Sequence, residues 1–149
     1  MQPSPRAHPD PSKPEHVVLR LHNDRGEISA AENRLLEALD KFAYAKASRF
    51  AVRLAVEEAL TNAFRHGHRR LPRETPVTLD VTVGPEEVKI SVEDQGPGFT
   101  PEAVPDPTLD ENLDKPAGRG LMLMRAYMAS IDYNAKGNRV TLVYRRPGA

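Results

Sequence analysis

The hydrophobic period of this chain changes near its middle, and this change limits the possible folds more than any other feature. Apolar residues recur at helical spacing over 28–44, and the same spacing continues from Ser48 to about Phe64. From Val77 to Val92 the apolar residues instead alternate with polar ones, which is the pattern of strands with one buried face. The two patterns together predict an α+β fold, with helices on one face of a mostly antiparallel sheet.

The other segments complete the predicted order of elements. Residues 17–21, 131–134 and 140–144 read as short strands, and residues 121–128 read as a short apolar helix. Gly84 and Pro85 predict the turn of the first hairpin. Ser48 is predicted to be the N-cap of the second helix, and Gly67 stands where that helix would stop.

A chain of 149 residues is long enough for one domain with a sizeable core, which we place at 15–147. Residues 1–14 contain five prolines and are expected to be a disordered tail. Residues 100–117 have no clean period and contain four more prolines. A connection of this length inside a domain is usually functional, so we predict a lid at about 100–118.

Composition argues against several classes of function. Lys and Arg (21) balance Asp and Glu (21), so no net field would attract nucleic acid or an anionic membrane. The chain has no cysteine, which excludes disulfides and thiolate chemistry and fits a reducing cytoplasm. No apolar run approaches the roughly 20 residues of a membrane helix, and the N-terminus lacks a signal-peptide core, so we expect a cytoplasmic protein.

The second predicted helix carries two polar residues on its apolar side. On a helical wheel Ala51 and Ala55 mark the apolar arc, and Glu58 and Asn62 fall inside that arc, one turn apart. The adjacent Glu57 falls on the solvent face. The wheel therefore predicts that Glu58 points inward and that Glu57 points outward.

A buried carboxylate is costly unless it is paired, hydrogen-bonded or bound to a metal. Glu58 and Asn62 together offer oxygen atoms to Mg²⁺ or its waters, and a raised pKa would suit Glu58 as a general base. An equally good interpretation is that Glu58 caps a neighbouring backbone and Asn62 satisfies a loop. His66 lies near the same edge and, taken by itself, is better explained as a structural residue than as a catalyst.

Two glycine-containing turns are the other candidate binding segments. Residues 94–99 follow a predicted strand, and Gly96 and Gly98 would let this backbone adopt positive φ or approach a ligand closely. Asp94 at the strand end could accept a hydrogen bond from an exocyclic amine such as that of adenine. Gly118 and Gly120 precede a predicted helix, whose N-terminus could bind phosphate. Taken singly, each segment is explained at least as well by ordinary turn chemistry.

In order and spacing, three segments of this chain resemble the GHKL (Bergerat-fold) ATPases. Residues 58–62 (Glu-Ala-Leu-Thr-Asn) resemble the N box, residues 94–99 the G1 box, and residues 118–121 the G2 box at the end of the ATP lid. Within that superfamily the chain is similar to the single-domain serine kinases that act as anti-sigma factors. The resemblance implies a two-layer α/β sandwich of Bergerat type, with helices on one face of a mixed, mostly antiparallel sheet.

The resemblance also implies roles for individual residues. Glu58 would be the catalytic base for a substrate serine, Asn62 would bind the Mg²⁺ that bridges the phosphates, and Asp94 would recognise the adenine amino group. The implied ATP-binding residues are Asn62, His66, Asp94, Gly96, Gly98, Phe99, Gly118, Arg119, Gly120 and Leu121. One departure is that residues 137–139 are Gly-Asn-Arg, where the family often has a Gly-Thr pair.

The cofactors implied by the resemblance are ATP and Mg²⁺. The implied partners are a STAS-domain anti-sigma-factor antagonist as substrate, a sigma factor or equivalent regulator, and a second copy of the chain in a homodimer. The leading hypothesis is thus an ATP-dependent protein serine/threonine kinase acting as an anti-sigma factor. An ATP-gated binding module without catalysis is the alternative. The catalytic domain of a histidine kinase ranks below both, since the chain has no room for a dimerisation helix pair with its own histidine.

Overall fold

The computed structural model describes residues 13–98 and 125–148. Its strands are β1 (Glu15–Leu21), β2 (Val77–Val83), β3 (Glu87–Glu93), β4 (Ser130–Tyr133) and β5 (Arg139–Arg145). They form one five-stranded sheet in the order β1-β2-β3-β5-β4, and each of these pairings is antiparallel. Two helices, α1 (Arg25–Lys41) and α2 (Lys46–Asn62), lie between β1 and β2 in sequence, and a π-helical turn (Ala63–Gly67) continues α2.

The alternating sequences form strands because every second side chain is buried. In β2 and β3 the register places Val81 opposite Ile90 and Leu79 opposite Val92, so the apolar residues share one face of the sheet. The other face is polar: Ser91 and Thr141 are joined by their hydroxyl groups at 3.1 Å. A sheet with one apolar face needs a second layer to cover it.

The two helices provide that layer. The buried apolar residues of α2 are Ala51, Val52, Ala55, Val56, Ala59 and Leu60, and those of α1 are Ile28, Ala31, Leu35, Ala38 and Leu39. All of these belong to one core cluster with the inward residues of β2, β3 and β5. The predicted α+β class, with helices on one face of the sheet, is confirmed, and the described part of the sheet is antiparallel rather than mixed.

The helix ends differ from the sequence prediction in three places, and one of them is that α1 ends at Lys41 rather than at residue 44. Helix α1 begins earlier than predicted, because the Asp24 carboxylate accepts the Glu27 N–H at 2.9 Å and so caps it. The prediction that Ser48 is the N-cap of α2 is wrong, since the helix starts at Lys46 after Ala45. Ser48 lies buried inside α2, where its hydroxyl oxygen accepts a hydrogen bond from the Tyr144 hydroxyl at 2.6 Å.

Charged side chains also join α1 to α2. Glu32 is buried between the helices, 3.4 Å from Arg25 and 3.4 Å from Arg53. Arg25 also contacts Glu57 at 2.6 Å. Glu57 is therefore half-buried and paired rather than simply solvent-facing, because α1 supplies a cation on that side of α2. The Arg25 hydrogen bond lowers the pKa of Glu57, whereas burial raises the pKa of Glu32.

Several predictions concern segments outside the described residues. Most of the predicted N-terminal tail (1–14) and the predicted lid (100–118) fall there. Of the predicted helix at 121–128, residues 125–128 are described, and 125–127 are helical whereas 128 is not. Among the helices that the structure describes, none has the length and apolar character needed to cross a membrane.

Candidate functional site

The end of α2 and the turn after β3 meet at Gly67. The π-helical turn carries the chain beyond α2 and is closed by the His68 N–H, which donates to the Ala63 carbonyl at 2.9 Å. Such π-turns occur frequently at functional sites. Here the turn brings Gly67 against the carboxylate of Asp94, so the helix with Glu58 and the turn with Asp94 lie side by side.

Glycine is required where these segments touch. A Cβ on Gly67 would overlap the Asp94 carboxylate, and a Cβ on Gly96 would overlap the Gly67 carbonyl oxygen. Gly98 has a φ of 78°, and a Cβ there would overlap the Lys136 carbonyl oxygen. The glycines of residues 94–98 thus allow close contact both with α2 and with the turn between β4 and β5.

The Asp94 carboxylate is held by its own turn. Its Oδ1 accepts the Gly96 N–H at 2.8 Å, and in the described part of the chain its Oδ2 has no hydrogen-bond donor. Burial raises the pKa of Asp94, an effect opposed by the hydrogen bond from Gly96 and by the charge of Lys136. Asp94 therefore has one oxygen fixed by the protein and one that can accept a hydrogen bond from a ligand.

His68 is a residue of this site that the sequence did not reveal. Its ring is buried, and Nε2 accepts the backbone N–H of Gln95 at 2.9 Å. The ring also packs edge-on against Phe64, with 5.7 Å between ring centroids. Since Nε2 accepts a hydrogen bond here, this contact requires the tautomer with hydrogen on Nδ1. The basic run after Gly67 was visible in the sequence, but a contact with Gln95, distant in the chain, was not.

Glu58 and Asn62 lie on one face of α2, one turn apart, and both are half-buried. Among the described residues the Glu58 carboxylate has no hydrogen-bond or ion-pair partner. Burial raises its pKa, the nearby charge of Glu57 raises it further, and Arg65 lowers it. The alternative that Glu58 caps a neighbouring backbone finds no support in the described contacts.

The chemistry of these two side chains fits Mg²⁺. This ion prefers oxygen ligands, keeps several waters, and usually takes one or two protein oxygens together with substrate phosphates. Within residues 13–98 and 125–148, no group of three or more His, Asp or Glu side chains is placed to hold a metal. The oxygens of Glu58 and Asn62 are of the type that Mg²⁺ takes together with phosphate.

The remaining predicted site residues divide into two groups. His66 is described and is exposed at the C-terminal end of the π-helical turn. The other predicted ligand residues lie outside the described residues, and they are Phe99, Gly118, Arg119, Gly120 and Leu121. Their contacts with a ligand stay predictions.

Comparison with known proteins bears on the fold and the family. The family model of the histidine kinase-like ATPase domain matches residues 9–144. A crystal structure of the RsbU and RsbW domains of a Mycobacterium tuberculosis protein has a TM-score of 0.60 and 19% identity, covering 90% of this chain and 34% of that one. At this identity the likeness shows a shared fold.

Two similar curated proteins are kinases by name. The serine/threonine-protein kinase BtrW of Bordetella bronchiseptica is 35% identical over 102 residues, which cover 63% of this chain and 68% of that protein. The serine-protein kinase RsbW of Staphylococcus epidermidis is 30% identical over 98 residues, which cover 61% of this chain and 62% of that protein. The match thus spans about two thirds of each relative.

Proposed function

We propose that this chain, which belongs to the histidine kinase-like ATPase domain family, is an ATP-dependent protein serine/threonine kinase. The observation that carries the proposal is the half-buried carboxylate of Glu58, which has no partner among residues 13–98 and 125–148 and lies four residues before Asn62. A half-buried carboxylate that has no structural partner among the described residues is expected to interact with a ligand or a substrate. The kinase names of BtrW and RsbW support the same function.

In the proposed reaction, Asp94 accepts a hydrogen bond from the adenine amino group through Oδ2. Asn62 would hold Mg²⁺ through its amide oxygen, and a bound ion would supply charge neutralisation to the transferred group. Glu58 accepts the proton of the substrate hydroxyl while the hydroxyl oxygen forms a bond to the γ-phosphorus. The bond from that phosphorus to the β–γ bridging oxygen breaks, and ADP leaves. The protein acts mainly by positioning.

The substrate we propose is a serine or threonine of a STAS-domain anti-sigma-factor antagonist. The second proposed partner is a sigma factor or an equivalent regulator, which the chain would sequester as an anti-sigma factor. We propose that the chain acts in the cytoplasm and that it forms a homodimer. Size-exclusion chromatography of the purified chain with each partner, with and without Mg-ATP, tests these assemblies. Absence of any complex with either partner class would contradict the proposed partners.

The catalytic assignment is tested by phosphotransfer from Mg-ATP to a purified STAS protein. Glu58→Gln should slow transfer by about 10²–10⁴-fold because it removes a general base, while ATP affinity stays within about threefold. The matched control is Glu57→Gln, which changes the adjacent glutamate, paired with Arg25, and should retain transfer. Transfer at the wild-type rate by Glu58→Gln would refute the base role. ATP-dependent capture of the partner without any transfer by the wild type would favour the binding-module alternative.

A further inference from the structure

The turn between β4 and β5 holds Asp94 through both of its backbone polar groups. The Asp94 N–H donates to the Asn138 carbonyl oxygen at 2.8 Å. In return, Nδ2 of Asn138 donates to the Asp94 carbonyl oxygen at 2.9 Å. One residue therefore satisfies the donor and the acceptor of Asp94, the first with its main chain and the second with its side chain.

Asn138 is itself fixed by Asn134. The Asn134 Oδ1 accepts three backbone N–H groups, from Gly137 at 2.9 Å, Asn138 at 3.0 Å and Arg139 at 3.1 Å. The Asn134 Nδ2 donates to the Asn138 Oδ1 at 2.8 Å. Because the Asn138 oxygen accepts this bond, its amide nitrogen is directed to the Asp94 carbonyl. The orientation of the Asn138 side chain is thus set on both sides.

The same turn touches the Asp94 segment at a second point. Gly98 lies so close to Lys136 that a Cβ on Gly98 would overlap the Lys136 carbonyl oxygen. The turn between β4 and β5 therefore supports residues 94–98 at both of their ends. Such support restricts the backbone angles of Asp94, and these angles determine where its carboxylate points.

We propose that Asn138 is a positioning residue that directs the Asp94 carboxylate at the nucleobase and so sets the preference of the site for adenine. This inference rests on the proposed binding of ATP. The Gly96 N–H occupies Oδ1, so Oδ2 accepts the adenine amino group. Inosine triphosphate (ITP) carries a carbonyl oxygen at that position and so lacks the amino hydrogen that would bond to Oδ2. A carboxylate held in one direction favours ATP over ITP, and a carboxylate free to turn loses part of that preference.

The test is isothermal titration of wild type and Asn138→Ala with Mg-ATP and with Mg-ITP. We expect Asn138→Ala to weaken ATP binding by roughly five- to tenfold, the size expected for a hydrogen bond to a charged group that is partly lost. Binding of ITP should change by less than about twofold, so the ATP/ITP ratio falls. The control is Asp132→Ala, which removes an exposed carboxylate from β4 and should leave the ratio unchanged.

The ratio of ATP affinity to ITP affinity distinguishes a positioning role of Asn138 from a purely structural role. If Asn138 only stabilised the fold, both affinities would fall together and the ratio would stay, which would overturn the inference. Asn138→Ser, which keeps a shorter polar group in the turn, gives the same test if Asn138→Ala does not fold. If the wild type prefers ATP and the variant has the same ATP/ITP ratio, only the role of Asn138 is refuted. A wild type that binds neither nucleotide refutes the proposed function and this inference with it.

Discussion

The turn at residues 94–98 and the α2 face with Glu58 and Asn62 differ in how many of their polar atoms are bonded within the protein. In the turn, both backbone groups of Asp94 and one carboxylate oxygen have partners. On the α2 face, neither the Glu58 carboxylate nor the Asn62 amide has a partner among the described residues. The turn is thus ordered by the protein, whereas the oxygens of the helix face are not bonded to any residue that the structure describes.

This difference is consistent with separate roles for the two parts of the proposed site. A bonded turn presents its acceptor in a fixed direction before a ligand arrives, which lowers the entropy lost on binding. A half-buried carboxylate without a partner is costly in the free protein and becomes favourable only when a ligand or a substrate proton meets it. This contrast supports the proposed roles, in which the turn recognises the base and the helix face carries the chemistry.

The largest effect is expected from Gly96→Ala, which breaks the ordered turn. The added Cβ would overlap the Gly67 carbonyl oxygen, so backbone must shift. We expect a loss of about 3 kcal/mol of unfolding free energy, at the upper end for overpacking, together with loss of ATP binding. Urea denaturation and calorimetry measure both. Gly84→Ala, where the nearest atom is at 3.5 Å, is the matched control and should remain near wild type.

A smaller loss is expected from His68→Ala. This change leaves the Gln95 N–H without its acceptor and removes the ring from Phe64, so unfolding free energy should fall by about 2 kcal/mol. His66→Ala is the control, because His66 is exposed and its loss should change stability by less than about 0.5 kcal/mol. Equal effects of the two changes on the urea midpoint would contradict the role of His68.

The two adjacent glutamates should respond in opposite directions. Glu57→Gln removes the ion pair with Arg25 and should lower the thermal midpoint. Glu58→Gln removes a half-buried charge that has no partner in the described part of the chain, and it should leave the midpoint unchanged or slightly raised at neutral pH. Differential scanning calorimetry at pH 7 compares them. A larger loss from Glu58→Gln than from Glu57→Gln would show that Glu58 has a structural partner.

The smallest effect concerns pH. Burial raises the pKa of Glu58 in the folded protein, so the folded state binds its proton more tightly than the unfolded chain does. The stability from this group is present below the ordinary glutamate pKa of about 4.3 and is lost as pH rises through the folded value. The unfolding free energy of the wild type, relative to that of Glu58→Gln, should therefore decrease from pH 4 to pH 7. Urea denaturation at each pH measures this difference. A difference independent of pH would contradict the burial of Glu58.

The sequence predicted the elements well where local pattern determines them. Alternation located β2 and β3 to within a residue, because half-buried strands need that period. The contacts that order the site were not predictable in the same way. His68 bonds to Gln95, Asn138 to Asp94 and Tyr144 to Ser48, and each pair is far apart in sequence. No local spacing encodes such pairs, so the sequence alone reveals neither the hydrogen bond of Ser48 inside α2 nor the contact of Asn138 with Asp94.

The proposed roles of Asp94 in base recognition and of Glu58 in chemistry are tested most directly by calorimetric titration. Mg-ATP is titrated into wild type, Asp94→Asn and Glu58→Gln. Loss of the carboxylate that accepts from the base should weaken binding by about 10- to 100-fold in Asp94→Asn. Glu58→Gln should bind ATP within about threefold of wild type, because Glu58 is assigned to chemistry and not to the base. Equal affinities of wild type and Asp94→Asn, or no binding of ATP by the wild type, would contradict the account.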